Sequence, residues 1–226
     1  AELGVGSAMT FSMYKPIAED DSDKICALMN LYHFYYRVIG GVVLIGGLVI
    51  FPFLPYLIKG NVPANINIYV LYVLNLSVTV LTYWLFAYRN SIFNAYQRTD
   101  IVSKVTIVTD TVKYATQIFV LTFFHNYYMY VIAILVTQIL NNVSIAYLSK
   151  KIYPQYEPKG NISKSERKEI NKRIKDLFTS KLGGTIVGSA DTIVISAFIG
   201  LKTLAVYQNY YYIITALSGL VIILFN

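Results

Sequence analysis

The chain of 226 residues is strongly apolar: hydrophobic residues make up 56% and charged residues only 14% of it, and its mean hydropathy is +0.52. This composition excludes an ordinary soluble domain and is typical of an integral membrane protein. The net charge of +7 would suit nucleic acid, but the basic residues cluster between hydrophobic runs, so we expect no nucleic-acid partner. The single cysteine, Cys26, excludes an internal disulfide.

Several runs are long enough to cross a bilayer, which takes about 20 mostly apolar residues. In chain order, the predicted spans are residues 38–58, 66–88, 105–124, 127–148, 182–200 and 203–224. Residues 1–13 resemble the end of an earlier span, and the last run reaches the chain end, so we expect a fragment. The predicted fold is therefore an all-α, polytopic transmembrane helix bundle with about six complete spans plus a partial one.

The predicted domains follow from these runs. Residues 1–148 hold the first group of transmembrane helices, residues 149–181 form a basic loop, and residues 182–226 hold two further helices. Of the 19 lysines and arginines, only Lys59 and Lys202 fall in the alternate loops, and Lys113 lies inside a span. The positive-inside rule therefore places the basic loops in the cytoplasm.

The basic loop itself contains a predicted helix. Ser163 and Glu166 have the spacing of a capping box. Apolar residues follow at helical spacing, namely Ile170, Ile174, Leu177 and Phe178, and the other face is basic. A basic amphipathic helix of this kind is expected to lie on the inner leaflet, with anionic lipid as its partner.

Polar residues inside the spans are costly and therefore informative. One stripe of the 105–124 span is polar and contains Thr106, Asp110, Lys113 and Gln117. One row of the 127–148 span is also polar and contains Thr137, Asn141 and Ser144. Asp110 and Lys113 are three residues apart and can pair. Two interpretations stay open: a water-filled cavity for a hydrophilic cargo, or interhelical hydrogen bonds that only hold the bundle together.

Asp191 lies in the middle of the 182–200 span, beside Gly184 and Gly188, whose spacing permits close approach of another helix. We expect its carboxylate to face the bundle. It could serve as a proton or cation site, as a partner for a buried base such as Lys113, or as a cap within a broken helix. Pro52 and Pro55 predict a kink or an early end of the 38–58 span.

Motifs of catalysis are not found in the sequence. His33 and His125 are far apart and have no second ligand at metal spacing, and no GxSxG, HExxH or phosphate-binding loop occurs. The acidic run at 19–23 is more typical of a solvated helix start than of a paired-carboxylate site. The sequence thus predicts no catalytic residue, no metal site and no cofactor.

Several blocks together resemble one family, in the order "AELGVGSAMTFSMYKPIAEDD", "PFLPYLIK", "AYRNSIFNAYQRTD", "TDTVKYATQIFVL", "LSKKIYPQY" and "GSADTIVISAFIGLKTLAVYQNYYYI". They are similar to the Wzx-type flippases, the polysaccharide transporter branch of the multidrug/oligosaccharidyl-lipid/polysaccharide exporter superfamily. The resemblance implies the N-terminal half of a transporter plus the first two helices of the second half. It also implies movement of undecaprenyl-diphosphate-linked oligosaccharide across the cytoplasmic membrane of a bacterium, for capsule, exopolysaccharide or O-antigen synthesis.

The resemblance also suggests site residues. Arg37, Arg89 and Arg98 lie at predicted cytoplasmic span ends, where they could bind the diphosphate or merely satisfy the positive-inside rule. The candidates for the substrate or ion pathway are Asp110, Lys113, Gln117, Asn141 and Asp191. Alternating access driven by H+ or Na+, without covalent chemistry, is the expected mechanism. The expected partners are the lipid-linked oligosaccharide, membrane lipids and other glycan-assembly membrane proteins. A drug or ion exporter of the same superfamily and a membrane-embedded glycan polymerase or transferase remain the alternatives.

Overall fold

The computed structural model describes residues 4–58 and 66–225, and it describes side chains up to residue 221. Over these residues the regular secondary structure is entirely helical. The α-helices are α1 (Val5–Ala18), α2 (Ser22–Ile50), α3 (Leu54–Leu57), α4 (Ile68–Trp84), α5 (Asn90–Ala95), α6 (Thr99–Phe123), α7 (Tyr127–Ile152), α8 (Lys164–Val194) and α9 (Leu201–Phe225). The all-α prediction is confirmed for this part of the chain.

Helix α2 begins well before the predicted span because Asp21 caps it. The Asp21 side chain accepts a hydrogen bond from the backbone N–H of Lys24 at 2.9 Å. The helix then runs without a break to Ile50, where the 3₁₀ turn Phe51–Phe53 and the short α3 follow. Pro52 and Pro55 lie at the starts of these two elements, so the predicted early end of the helix is confirmed.

Helix α4 is also shorter than its predicted span. It ends at Trp84, and Phe86 has a left-handed backbone with φ of 57°. The chain resumes as the 3₁₀ turn Ala87–Arg89 and α5, which are bent by 47° from α4. The predicted 66–88 span is therefore a broken one, and the break brings residues 86–90 against α6 and α7.

The structure shows fewer clear spans than the sequence predicts. Within the described ranges, three helical stretches are long and apolar enough to cross a membrane, namely Ser22–Leu57, Tyr127–Ile152 and Lys164–Ile199. The bent pair of α4 with Ala87–Ala95 makes a fourth if it counts as one span. Helix α6 is not among them, since its charged and threonine residues reduce its apolar character. The predicted count of six is not confirmed.

The buried core lies toward one end of the bundle. It joins the middle of α1, the first half of α2, α5, the start of α6, the end of α7 and the start of α8, through side chains that include Met9, Met29, Tyr32, Phe93 and Ile170. The other ends of the long helices carry exposed apolar residues such as Ile45, Phe119 and Val187. The tightly packed end is the one that carries the basic loops.

Helix α8 confirms the predicted capping box. Ser163 Oγ accepts a hydrogen bond from the backbone N–H of Glu166 at 3.3 Å and donates one to Glu166 Oε2 at 3.0 Å. The helix then continues through residue 181, where the sequence suggested a boundary, as far as Val194. One helix therefore joins the basic segment to the apolar one.

The basic segment buries part of its apolar side against protein. Ile170 is buried, and Ile174 packs against the same core cluster. Lys24 Nζ lies 2.5 Å from Glu166 Oε1, and the Tyr35 hydroxyl donates to Asn171 Oδ1 at 2.5 Å. Protein thus covers Ile170 and Ile174 of the predicted apolar face, whereas Phe178 of the same face is exposed, and the position of this segment on the inner leaflet stays a prediction.

The start of α1 provides room for this docking. Gly4 has φ of 89°, and a Cβ atom at this position would lie 2.6 Å from Leu177 Cβ of α8. Further along, Lys181 Nζ lies 3.4 Å from Ser7 Oγ, and the Arg173 guanidinium lies 4.7 Å from the ring centre of Phe11. We call residues 164–181, docked on α1 and α2, the strap.

Candidate functional site

The polar stripe of α6 faces protein, and its apolar residues face outward. Gln117 is buried, and Thr106, Asp110 and Lys113 are half-buried. Apolar neighbours on the other side of the same helix, such as Ile107 and Ile118, are about two-thirds exposed, at 65% and 67%. A helix in a membrane is expected to hold its polar side toward the bundle in this way.

The predicted pair within this stripe is present. Lys113 Nζ lies 2.6 Å from Asp110 Oδ1, and it also lies 4.6 Å from the ring centre of Tyr114. The lysine side chain is 21% exposed and the aspartate side chain 41% exposed. Each charge thus has a partner within the helix, which reduces the cost of its partial burial.

Helix α7 faces this region with carboxamides. Gln138 Nε2 donates to Asn142 Oδ1 at 3.2 Å, and Asn142 Nδ2 donates to the backbone oxygen of Thr82 at 3.2 Å. Asn142 therefore joins α7 to the last turn of α4. Thr137, also buried, donates to the oxygen of Ala133 one turn earlier in its own helix.

A cavity of about 170 Å³ lies where α4, its break, α6 and α7 meet. We call it the amide cavity, because three asparagines and a glutamine contribute to its wall. The lining residues are Thr82, Phe86, Ala87, Asn90, Val102, Thr106, Gln138, Asn141, Asn142 and Ile145. Of the predicted pathway residues, only Asn141 is in this wall.

Two asparagines in the wall have unsatisfied acceptors. Within the described residues, Asn90 Oδ1 and Asn141 Oδ1 are buried and have no hydrogen-bond partner. A buried acceptor in this state costs about 1–3 kcal/mol unless a water or ligand donates to it. Asn141 was predicted from its row on α7. Asn90 was missed, although its position beside Arg89 in "AYRNS" was the available signal.

The predicted arginines lie in three different environments. Arg89 is only 2% exposed and stacks near Tyr88, with 5.6 Å from its guanidinium carbon to the ring centre. Its Nε and Nη1 have no hydrogen-bond partner in the described parts of the chain. Arg89 directly precedes Asn90 in the chain, but its own side chain does not line the amide cavity; it lies beside Tyr88, whose ring contacts His33 of α2.

Arg37 and Arg98 are not buried with Arg89. Arg37 is exposed on α2, and its backbone oxygen accepts a hydrogen bond from Trp84 Nε1 at 3.1 Å. Arg98 is exposed before α6, and its Nε donates to Asp100 Oδ1 at 2.9 Å. This contact lowers the pKa of the Asp100 carboxyl. Arg98 thus already has an anionic partner.

Asp191 lies away from the amide cavity and pairs within α8 and α9. The Tyr207 hydroxyl donates to Asp191 Oδ2 at 2.8 Å, and Gln208 Nε2 donates to Thr192 Oγ1 at 2.9 Å. The π-helical turn Ile195–Ile199 follows directly, and Ser196 Oγ donates to the oxygen of Leu57 at 2.9 Å. Such a turn widens the backbone and is common at functional positions.

Close helix packing beside Asp191 is not seen in the described structure. A Cβ atom added at Gly184 or Gly188 would have no described neighbour within 4 Å, and the Asp191 residue is exposed apart from its Tyr207 contact. The Asp191 carboxylate contacts α9, and the Asp110 carboxylate contacts Lys113.

The chemistry that this arrangement offers is recognition by hydrogen bonds and charge. Within the described ranges, no group of three His, Cys, Asp or Glu residues could hold a metal ion. The amide cavity supplies donors and acceptors without a net charge, and the buried Arg89, outside its lining, supplies a positive charge.

The comparisons with known proteins give one result. A family model described as "Polysaccharide biosynthesis protein" matches residues 9–226. No curated protein and no solved structure matches the chain.

Proposed function

Since the chain belongs to the polysaccharide biosynthesis protein family, the family of the Wzx-type flippases, we propose that it moves undecaprenyl-diphosphate-linked oligosaccharide across the cytoplasmic membrane. Family membership and the apolar helices together identify it as a membrane protein of polysaccharide biosynthesis. Members of this family are transporters. The proposed step is therefore alternating access without covalent chemistry, on the route to capsule, exopolysaccharide or O-antigen.

The observation that carries this proposal is the amide cavity. Sugars present hydroxyl groups, each of which donates and accepts hydrogen bonds, and carboxamides do the same. Asn90 and Asn141 each hold a buried oxygen without a donor, so a hydroxyl entering here would remove an existing cost. A volume of about 170 Å³ admits part of a glycan, so the cavity would be one section of a longer path.

Arg89 supports the diphosphate part of the proposal. Burying a positive charge is expensive unless an anion or acceptor compensates it, and two of its nitrogens have none in the described structure. A phosphate is a suitable partner for a guanidinium, since its oxygens accept two parallel hydrogen bonds. Under this proposal Arg89 binds the diphosphate and the exposed Arg37 and Arg98 serve mainly membrane orientation.

The driving ion is proposed to be H+ or Na+, with Asp110 and Asp191 as the carboxylates available inside the spans. The alternative of a drug exporter is less well supported. A pathway for apolar drugs would be lined by apolar and aromatic side chains, whereas four carboxamides line this cavity.

The proposal is tested in bacteria that carry the gene as their only copy. Loss of the gene is expected to remove surface glycan and to leave lipid-linked oligosaccharide in the inner leaflet. An Asn141→Leu variant should lower surface glycan about tenfold at normal protein level, since a lost hydrogen bond of about 1.4 kcal/mol corresponds to that factor.

A matched control lies two residues away on the same helix. Val143 is exposed on the outer side of α7, so Val143→Leu should leave surface glycan unchanged. Normal surface glycan in cells that lack the protein would contradict the proposed function. Equal losses of surface glycan in Asn141→Leu and Val143→Leu would mean that the amide cavity has no specific part in the proposed function.

A further inference from the structure

A second, larger groove lies between α1, α2 and α5 and has a volume of about 380 Å³. Uncharged polar residues make up most of its lining, and we call it the hydroxyl groove. They are Ser7, Thr10 and Tyr14 of α1, Tyr36 of α2, and Asn90, Ser91 and Asn94 of α5. The volume is within the range of sites that hold small molecules.

Helical spacing explains why these side chains converge. Ser7, Thr10 and Tyr14 are three and four residues apart, so they follow one face of α1. Asn90 and Asn94 are one turn apart on α5. Asn90 lines both the hydroxyl groove and the amide cavity, so the two spaces adjoin at a single side chain.

Charge is confined to the edge of the groove. None of the described residues that line it is charged. Lys181 of the strap reaches Ser7, with 3.4 Å from Nζ to Oγ, but does not itself line the groove. A carboxylate placed inside would lose its water without gaining a cationic partner, which disfavours an acidic ligand.

Tyr14 offers an aromatic surface beside these polar groups. Its ring meets that of Phe11 edge to face, with 6.1 Å between ring centres. The Arg173 guanidinium covers Phe11, whereas Tyr14 is 42% exposed. A sugar ring has C–H groups on its faces and hydroxyls at its edge, so it can pack on an aromatic ring while its edge forms hydrogen bonds.

We propose that the hydroxyl groove is a subsite for uncharged sugar residues of the cargo. This inference rests on the proposed function and adds a substrate class to it: glycans whose sugars at this position carry hydroxyls or N-acetyl groups and no carboxylate. Tyr14 provides the packing surface, and Thr10, Asn90 and Asn94 provide the hydrogen bonds.

The test measures sugar binding directly, by saturation-transfer NMR on the purified protein in a detergent without a sugar head group. The probes are a neutral trihexose and the same trisaccharide with one hexose oxidised to the uronic acid. We expect transfer to the ring C–H protons of the neutral sugar, and affinity about tenfold weaker for the uronate. Equal binding of both sugars, or no binding of the neutral one, would overturn the proposal.

Variants locate the binding. Tyr14→Leu should abolish the signal, whereas Tyr147→Leu, which changes an exposed tyrosine on α7, should leave it intact. Lys181→Gln should also leave it intact; a loss there would mean that charge and not the neutral groove carries binding. Glycan export is measured separately in cells, so sugar binding without export would refute the transport proposal and leave this subsite standing.

Discussion

At the scale of single residues, the best-defined feature of α6 is the contact between Asp110 and Lys113. Their spacing on α6 predicted the pair, and the structure shows it at 2.6 Å. The role of the pair in transport is a separate matter, because a salt bridge can serve either packing or passage.

A pair of variants separates these roles. Asp110→Asn leaves Lys113 charged and without its partner, and we expect the free energy of unfolding to fall by about 1 kcal/mol. This is well below the cost of breaking a fully buried pair, since the aspartate is 41% exposed. Asp110→Asn combined with Lys113→Gln removes both charges and should restore the melting temperature. If the pair lies on the pathway, the double variant remains stable but exports less glycan.

Export at the normal rate by the stable double variant would instead assign the pair to packing. The test needs only a thermal melt of the purified protein and a surface-glycan assay on the same variants.

Sequence predicted residue-level features where the partners are close in the chain. The capping box of Ser163 with Glu166 and the Asp110–Lys113 pair both depend on separations of three residues. The unsatisfied oxygen of Asn90 could not be predicted, because its cavity forms only when α4, α6 and α7 pack together. The partner of Asp191 was missed for the same reason: Tyr207 lies on the next helix.

At the scale of elements, the strap is the main difference from expectation. The capping box predicted where this helix begins, but amphipathicity alone does not say whether a helix buries its apolar face in lipid or in protein. The answer depends on contacts across more than a hundred residues, such as Lys24 with Glu166 and Tyr35 with Asn171.

Loss of one buried side chain should loosen the strap. Ile170 is 6% exposed, so Ile170→Ala is expected to cost at least about 2 kcal/mol, which corresponds to about a thirtyfold change in a local opening equilibrium. Trypsin cleavage at Lys159, in the segment between α7 and α8, should therefore become about thirtyfold faster in inverted membrane vesicles.

Phe178 provides the comparison on the same helix. It is 38% exposed, so Phe178→Ala should change cleavage far less. Equal acceleration by both variants would indicate general unfolding of α8, and no acceleration by Ile170→Ala would mean that the strap is not held by its core contacts.

The helix breaks show the same division between local and distant causes. The end of α2 at Pro52 and Pro55 was predictable, because proline acts through its own backbone. The break after Trp84 was not, since Phe86 is not a residue type that favours its left-handed conformation. The tertiary packing of this turn between α2 and α7 outweighs the local preference.

At the scale of the whole molecule, burial is uneven along the helices. The shared core lies at the end that carries the basic loops, and the opposite ends carry exposed apolar side chains. The charge distribution predicts that the packed end is cytoplasmic.

Orientation is testable with added cysteines, because the chain has a single cysteine of its own, Cys26. Cys26 is 1% exposed, so its thiol is shielded from reagents in the folded protein, and single cysteines can be added at Phe124 and at Lys168. In intact bacterial spheroplasts, a thiol reagent that does not cross membranes should label Phe124→Cys directly. It should label Lys168→Cys only after permeabilisation.

Labelling of Lys168→Cys but not of Phe124→Cys in intact spheroplasts would mean that the topology is inverted. Labelling of both sites would mean that no membrane separates the Phe124 turn from the strap. The result matters for the span count, because three or four described stretches meet the length and apolarity that a span needs, whereas the sequence predicted six. Composition could not settle that count for α6, whose polar stripe faces protein.

The contact between α2 and α4 also gives the protein an internal optical signal. Trp84 is its single tryptophan, and the indole packs on Gly40 and donates to the oxygen of Arg37 immediately before the helix break. Indole emission responds to solvent and hydrogen bonding, so its colour and intensity report on this one joint without any added dye. Any motion that separates α2 from the end of α4 is thereby visible in the native chain.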